Sequence, residues 1–409
     1  MRMELGTEYI FHVFWEDSIW LPPNTTWKDV QPTQDGVYTE FTDLWYPIPV
    51  AFFILLLRTI FERYIFKPLG LSFGIKDSKH IKPSTNSVLE KEFSLTKKNK
   101  SYQINIPKLA ADLNMRERQI EYWLKRRRLY GKPTTMQKFC ETGWRWFYYS
   151  CVFTYGVICL WDKPWLWNIR YCWYNYPHHD VPQEVWWYYM VELSFYWSLS
   201  FSQFFDVKRK DFVEMFIHHV TTIALLCFSW TCNLFRCGTL VLIILDFADI
   251  FLESAKLCHY AKLNTVCDII FAVFAVCWII TRLGIFPIWI LYSTTVEAPQ
   301  MLEMFPAYYI FNVLLTILLV LHVIWTYFIL KIAYNALYAK KEKGVADSRS
   351  DSSGETCSTT DDEARKKDDN KKRIQNGGAY ADNNGGVNPQ PNGAIKQNGN
   401  YKASSVEVK

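Results

Sequence analysis

Two adjacent histidines, His218 and His219, stand in the stretch DVKRKDFVEMFIHHVTTIALLCFSW (Asp206 to Trp230), where a basic turn runs into an apolar segment. Imidazole exchanges protons near neutral pH, so the pair suits acid–base work. The next apolar segment, TLVLIILDFADIFLESAK, carries Asp246, Asp249 and Glu253 at spacings of three and four, which puts them on one face of a helix. In a bilayer core each ionised side chain costs about 2.5–3.5 kcal/mol unless it faces a polar cavity. Two histidines and three carboxylates on successive segments therefore imply a shared cavity.

Adjacent helical residues point about 100° apart, so the histidines cannot share one target equally. Asp211, Glu214 and His218 lie on one stripe, with Thr221 and Thr222 near its continuation, whereas His219 sits beside Phe212 and Met215. His218 is expected to face the cavity, with His219 as its close support. A buried histidine–carboxylate packing device and a zinc or iron site are the alternatives. The second needs two histidines to converge that helical geometry turns apart, so no metal is assigned.

The elements that position these residues are read from hydropathy and charge. Half of the 409 residues are hydrophobic and only 21% are charged, which points to lipid as the main solvent. Apolar stretches at 45–66, 143–161, 186–205, 212–231, 238–258, 265–291 and 305–330 are each long enough to cross a bilayer, which predicts an all-α polytopic membrane protein with seven transmembrane helices. Residues 67–140 hold seventeen Lys/Arg against six Asp/Glu, and the turns 206–211 and 256–262 are basic, whereas 292–304 has two glutamates and no cation. The positive-inside rule then places the N-terminus in the lumen and the C-terminus in the cytosol. The sequon Asn24-Thr25-Thr26 agrees, marking Asn24 for glycosylation.

The predicted parts are a lumenal segment 1–44, a first transmembrane helix 45–66, a cytosolic basic region 67–140, a six-helix membrane domain 141–340 and a disordered cytosolic tail 341–409. The eleven cysteines show no metal-binding spacing, and Cys232 and Cys237 are the one pair placed for a disulfide. Within the basic region, SYQINIPKLAADLNMRERQIEYWLKRRRLYG (101–131) resembles the C-terminal half of a homeodomain, with Ile120, Trp123 and Leu124 on one face of its second helix. Arg126 stands where a homeodomain reads adenine with Asn, and neither a first helix nor a basic arm is recognisable upstream. Sequence-specific DNA binding is therefore not expected. A basic surface near anionic headgroups, worth about 1 kcal/mol per cation, is the reading preferred.

The strings VELSFYWSLSFSQFFDVKRKDFVEMFIHH, GTLVLIILDFADIFLESAK and ITRLGIFPIWILY, in this order, resemble the ceramide synthases of the TLC-domain superfamily, several of which carry a truncated homeobox-like insert. The resemblance covers roughly residues 40–340. It implies six of the seven helices bundled around a central cavity in the endoplasmic reticulum membrane, and transfer of a fatty acyl group from acyl-CoA to the amine of a sphingoid base, with no further cofactor. His218 would act as general base or carry the acyl group as an acyl-imidazole, with His219, Asp246 and Asp249 as the other catalytic residues. Lys208, Arg209, Lys210 and Glu253 would contact substrate, the cations meeting the anionic CoA head. Dimers with itself or with other synthases, and a lumenal loop Tyr292–Met304 tied to chain-length choice, also follow from the resemblance. The alternative from the same superfamily is a lipid-binding, lipid-sensing or transport protein that needs the cavity but no base.

Overall fold

The computed structural model describes residues 13–32, 37–77, 80–99, 102–206 and 211–338. All regular structure among them is helical. Ten helices carry the architecture: α1 (Phe41–Ser72), α2 (Ser87–Lys98), α3 (Ile106–Leu113), α4 (Glu117–Leu129), α5 (Thr135–Leu160), α6 (Gln183–Gln203), α7 (Phe212–Thr231), α8 (Phe235–Tyr260), α9 (Asn264–Met301) and α10 (Pro306–Tyr338).

Four of these, α1, α7, α9 and α10, are both long and apolar enough to cross a membrane. Helices α5, α6 and α8 are 26, 21 and 26 residues long, which at about 1.5 Å per residue also matches a bilayer core of about 30 Å. Their mean hydropathy is lower because they carry Arg145, Glu192, Asp246, Glu253 and Lys256, and all of these turn inward rather than to the outer surface. The chain is a membrane protein whose most polar long helices are its innermost ones.

Packing contacts run from α5 to α6, α6 to α7, α7 to α10, α10 to α9, α9 to α8 and α8 back to α5, closing a circuit of six helices. Helix α1 stands outside it, against α6 and α5. Close approach of α1 and α5 depends on Gly143, where an added Cβ would overlap the Phe66 ring. Small residues serve lipid-embedded helices by letting neighbours come near. Gly143→Leu is expected to lower stability by about 1–3 kcal/mol, the usual cost of overpacking, seen as an earlier thermal unfolding midpoint in detergent. An unchanged midpoint would show that α1 is not held at this contact.

Local signals account for the helix ends. Thr134 caps α5 reciprocally with Gln137, at 3.1 Å to the Gln137 N–H and 2.9 Å back to the Thr134 N–H. Between α7 and α8 the turn is only a few residues long, and Asn233 takes a left-handed φ of 58°, which an Asn tolerates better than most residues. Its buried amide donates to the carbonyls of Pro177 and His179 at 2.6 and 2.9 Å, anchoring the 162–182 segment over that turn. Cys232 and Cys237, the pair expected to be placed for a disulfide, are free thiols.

The basic region departs from expectation. A first helix is present after all, α2, capped by Asn86, which accepts from Val88 and Leu89 N–H at 3.1 Å. With α3 and α4 it encloses a small core of Leu89, Leu109, Ile120, Trp123 and Leu124. Helix α2 contributes only Leu89 and Phe93, too few apolar positions to stand out in the sequence. The basic run of α4 is partly engaged within this unit: Arg127 binds Glu90 at 2.8 Å and lies over the Phe93 ring. The hydrogen bond from Arg127 holds the Glu90 carboxyl below the usual range.

The span expected to end at residue 291 continues as helix to Met301. Around Pro287 its hydrogen bonds widen to the i→i+5 pattern, which accommodates the missing proline N–H. Most of Tyr292–Met304, expected as a loop, is therefore the end of α9. Residues 207–210 and 341–409 lie outside the described residues, so Lys208, Arg209, Lys210 and the predicted tail do too.

Candidate active site

Helices α5, α6, α7, α8, α9 and α10 line a polar cavity of about 1060 Å³, counted with its open mouth. His218, His219, Asp249 and Glu253 are all on its wall, so four residues singled out by their types do converge. His219 is 5% exposed and its Nδ1 lies 3.1 Å from Gln203 Oε1. His218 is more open to the cavity, with its ring 5.4 Å from Trp325 and 6.1 Å from Tyr196, and its Nδ1 has no hydrogen-bond partner.

The carboxylates divide. Asp249 accepts from Arg282 at 2.8 Å, and the same guanidinium nitrogen donates to the Leu245 carbonyl at 2.8 Å. Asp246 is not on the cavity wall; it is wholly buried and faces Glu192 of α6. A spacing of three gives both residues the same general face of α8, but a helix turns about 300° in three residues, enough to aim them at different neighbours. Gln203, rather than either aspartate, meets the His219 ring nitrogen. Glu253 is held by Lys256 at 2.8 Å and stands 3.9 Å from Arg145, which also binds Glu141 at 2.6 Å. At the mouth Arg58 of α1 grips Asp206 at 3.0 Å. Among the described residues no three His, Cys, Asp or Glu side chains gather as a metal site would require.

A second cavity, of about 860 Å³, is lined almost wholly by apolar side chains. It runs from Thr222 and Leu245 past Leu226 and Leu242 to Trp173, Thr294 and Phe305. Tyr196 lines both chambers and is the junction between them. The far wall is tied down by Trp173 Nε1 donating to Ser293 Oγ at 2.9 Å and by the Arg170–Glu297 ion pair at 2.9 Å.

Sequence reasoning missed Glu192, Tyr196, Gln203, Arg282 and Trp325. For Glu192 and Arg282 a signal was available: an ionisable residue inside VELSF or ITRLG is a functional candidate for the reason that singled out the histidines. Tyrosine and tryptophan carry no such signal in a chain where they also line the membrane interface.

A polar chamber with paired histidines, joined to an apolar chamber inside a closed circuit of helices, defines a membrane protein able to hold a molecule with a polar reactive end and a long apolar tail. The TLC domain family matches residues 138–331, which span the circuit almost entirely. The chain is 44% identical to ceramide synthase 5 of Mus musculus over 339 residues, covering 82% of this chain and 81% of that one. It is 41% identical to ceramide synthase 3 of Homo sapiens over 338 residues, 83% and 87% of the two chains. With ceramide synthase hyl-1 of Caenorhabditis elegans it shares 32% identity over 353 residues, 83% and 84%. The chain belongs to the ceramide synthase family.

Proposed function

We infer that this chain is a ceramide synthase, an acyl-CoA-dependent sphingoid base N-acyltransferase, and that His218 is its reactive group. One observation carries the assignment of roles: Tyr196 separates a polar chamber holding both histidines from an apolar chamber deep in the bundle. A thioester at that junction puts its acyl chain in the apolar chamber and its CoA portion towards the polar mouth. In the reaction the amine nitrogen bonds the acyl carbon as the C–S bond breaks. Of the two protons an ammonium loses on becoming an amide, one goes to the CoA thiolate and one leaves the site.

His218 performs this either as the base that frees the amine or as the nucleophile that first takes the acyl group. His219, steadied by Gln203, supports it, and Asp249 with Arg282 fixes the electrostatics beside it. Asp246 belongs to this set through Glu192 rather than through a hydrogen bond to imidazole. Glu253, with Arg145 and Lys256, and the basic residues Lys208, Arg209 and Lys210 suit the anionic CoA end.

The seven-span reading, with the six-helix circuit around both chambers, 45–66 as the outer helix, 67–140 as a cytosolic insert and 341–409 as a cytosolic tail, rests on helix lengths and charge. It goes with an endoplasmic reticulum location and a lumenal N-terminus. No cofactor beyond the acyl-CoA co-substrate is needed for the chemistry. Pairing with another synthase is a further expectation.

Release of free CoA thiol by purified protein should require both acyl-CoA and added sphingoid base. Release that ignores the base would favour a lipid-binding or thioester-cleaving protein. For orientation, Asn24 is exposed on a turn with a left-handed φ of 65°, accessible to glycosylation. Expression in microsomes is expected to give a glycan that endoglycosidase removes and that Asn24→Gln lacks. A wild-type chain without glycan would count against a lumenal N-terminus.

A further inference from the structure

A third cavity, of about 550 Å³ counted with its opening, is walled by Ala255 and His259 of α8, Phe271 and Phe274 of α9, and Phe328 and Ile332 of α10. Leu252, Lys256 and Trp325 belong both to this wall and to that of the polar cavity, so the two spaces adjoin. Trp325 is also the residue whose ring stands 5.4 Å from that of His218. Phe271 and Phe328 are only half-buried, so the wall reaches the outer surface of the bundle on the side of α9 and α10.

Helix α8 runs past all three cavities in turn. Leu242 and Leu245 line the large apolar chamber, Asp249 and Glu253 the polar one, and Ala255, His259 and Tyr260 the third. At about 1.5 Å per residue, Leu242 and Tyr260 are about 27 Å apart along the axis, with the carboxylates between them. The polar chamber thus stands between two apolar ones. Joining an acyl group to a sphingoid amine makes a molecule of the same pattern, a polar amide with a hydrocarbon chain on either side. The large chamber takes one chain, and the CoA portion lies towards the mouth at Asp206 and Arg58. The third cavity opens across the circuit from that mouth, among α8, α9 and α10 rather than beside α6 and α1. Lys256 on the shared border is paired with Glu253 at 2.8 Å, so its charge is met there rather than turned against an incoming ammonium.

We propose that the third cavity is the tail subsite of the second substrate: it holds the hydrocarbon chain of the sphingoid base, which enters between α9 and α10 and presents its amine past Trp325 to His218. This rests on the acyltransferase reading above. The two tails lie in separate chambers, so the base binds without displacing the acyl chain.

Full-length protein in detergent tests this with Ala255→Leu, which puts bulk into the cavity, and Phe328→Ala, which removes part of its wall. Ala255→Leu is expected to raise KM for a long-chain base about tenfold, as if about two methylenes had lost their place. KM for a short-chain base, KM for acyl-CoA and the preference among acyl-CoA lengths should stay unchanged. Phe328→Ala should raise the long-chain base KM about threefold in the same selective way. A changed acyl-length preference with the base KM untouched would assign the cavity to the acyl chain, and an unchanged base KM in both variants would remove it from the reaction. A long-chain base carrying a diazirine at its tail end should label wild-type peptides that hold Phe271 or Phe328, and excess unmodified base should suppress the label. Labelling confined to the wall between Leu226 and Leu245, or labelling suppressed by phospholipid and not by base, overturns the proposal even if neither variant folds. If the wild-type chain released no CoA on addition of sphingoid base, the acyltransferase reading itself would fail instead.

Discussion

His218→Ala is expected to reduce N-acylation by about a thousandfold or more, with the protein still folded, since a base or nucleophile that forms bonds in the transition state is replaced by nothing. The side chain is well placed for such a selective effect. It lines the polar cavity, its Nδ1 has no hydrogen-bond partner among the described residues, and its ring meets Trp325 and Tyr196 edge-on and His219 at a tilt. His219→Ala should cost less in turnover and more in order, because it removes the hydrogen bond with Gln203. Mass spectrometry after incubation with acyl-CoA alone separates the two routes: an adduct on wild type that is missing from His218→Ala identifies the nucleophile, and its absence identifies the base. Retention of more than about a tenth of the activity by His218→Ala would remove the residue from either role.

Asp249→Ala should be the most damaging substitution for stability. It removes the carboxylate that pairs with the Arg282 guanidinium, itself 4% exposed in the middle of a helical bundle. Breaking a buried ion pair from one side typically costs about 3–5 kcal/mol, whereas replacing both partners with apolar groups is often neutral. A large drop in the thermal midpoint is expected for Asp249→Ala, largely recovered in the double variant Asp249→Leu with Arg282→Met. Neither should transfer acyl groups, since the electrostatics beside His218 are gone in both. Equal midpoints for wild type and Asp249→Ala would mean that water reaches Arg282 freely and the pair is not a buried one.

The long helices were legible because extended apolar stretches announce themselves, four of them long and apolar enough to cross a membrane, and the convergence of the histidines with Asp249 and Glu253 was legible because ionisable groups on apolar helices need one another. The division between Asp246 and Asp249 was not. It depends on which neighbour each side chain meets across a helix interface, and Glu192 and Arg282 are about fifty and thirty residues away in the chain, at distances no local periodicity encodes. Tyr196 was hidden for a different reason: an aromatic residue at a chamber junction looks, in sequence, like any other in a chain with 25 tyrosines and 18 tryptophans. Helix α2 was missed because two apolar contacts suffice to dock a twelve-residue helix when its first turn is capped.

The apolar chamber begins at Tyr196, beside the His218 imidazole, and ends where Trp173, Thr294 and Phe305 lie near the Arg170–Glu297 pair. An acyl chain lodged there would be measured like an object on a ruler. On the role proposed for His218 its zero would be the thioester carbon beside that imidazole, and its far stop would be set by side chains with no part in the chemistry. Such a device can be regraduated at one end, by changing the bulk of a few residues near the end of α9, without disturbing the mark from which every length is read.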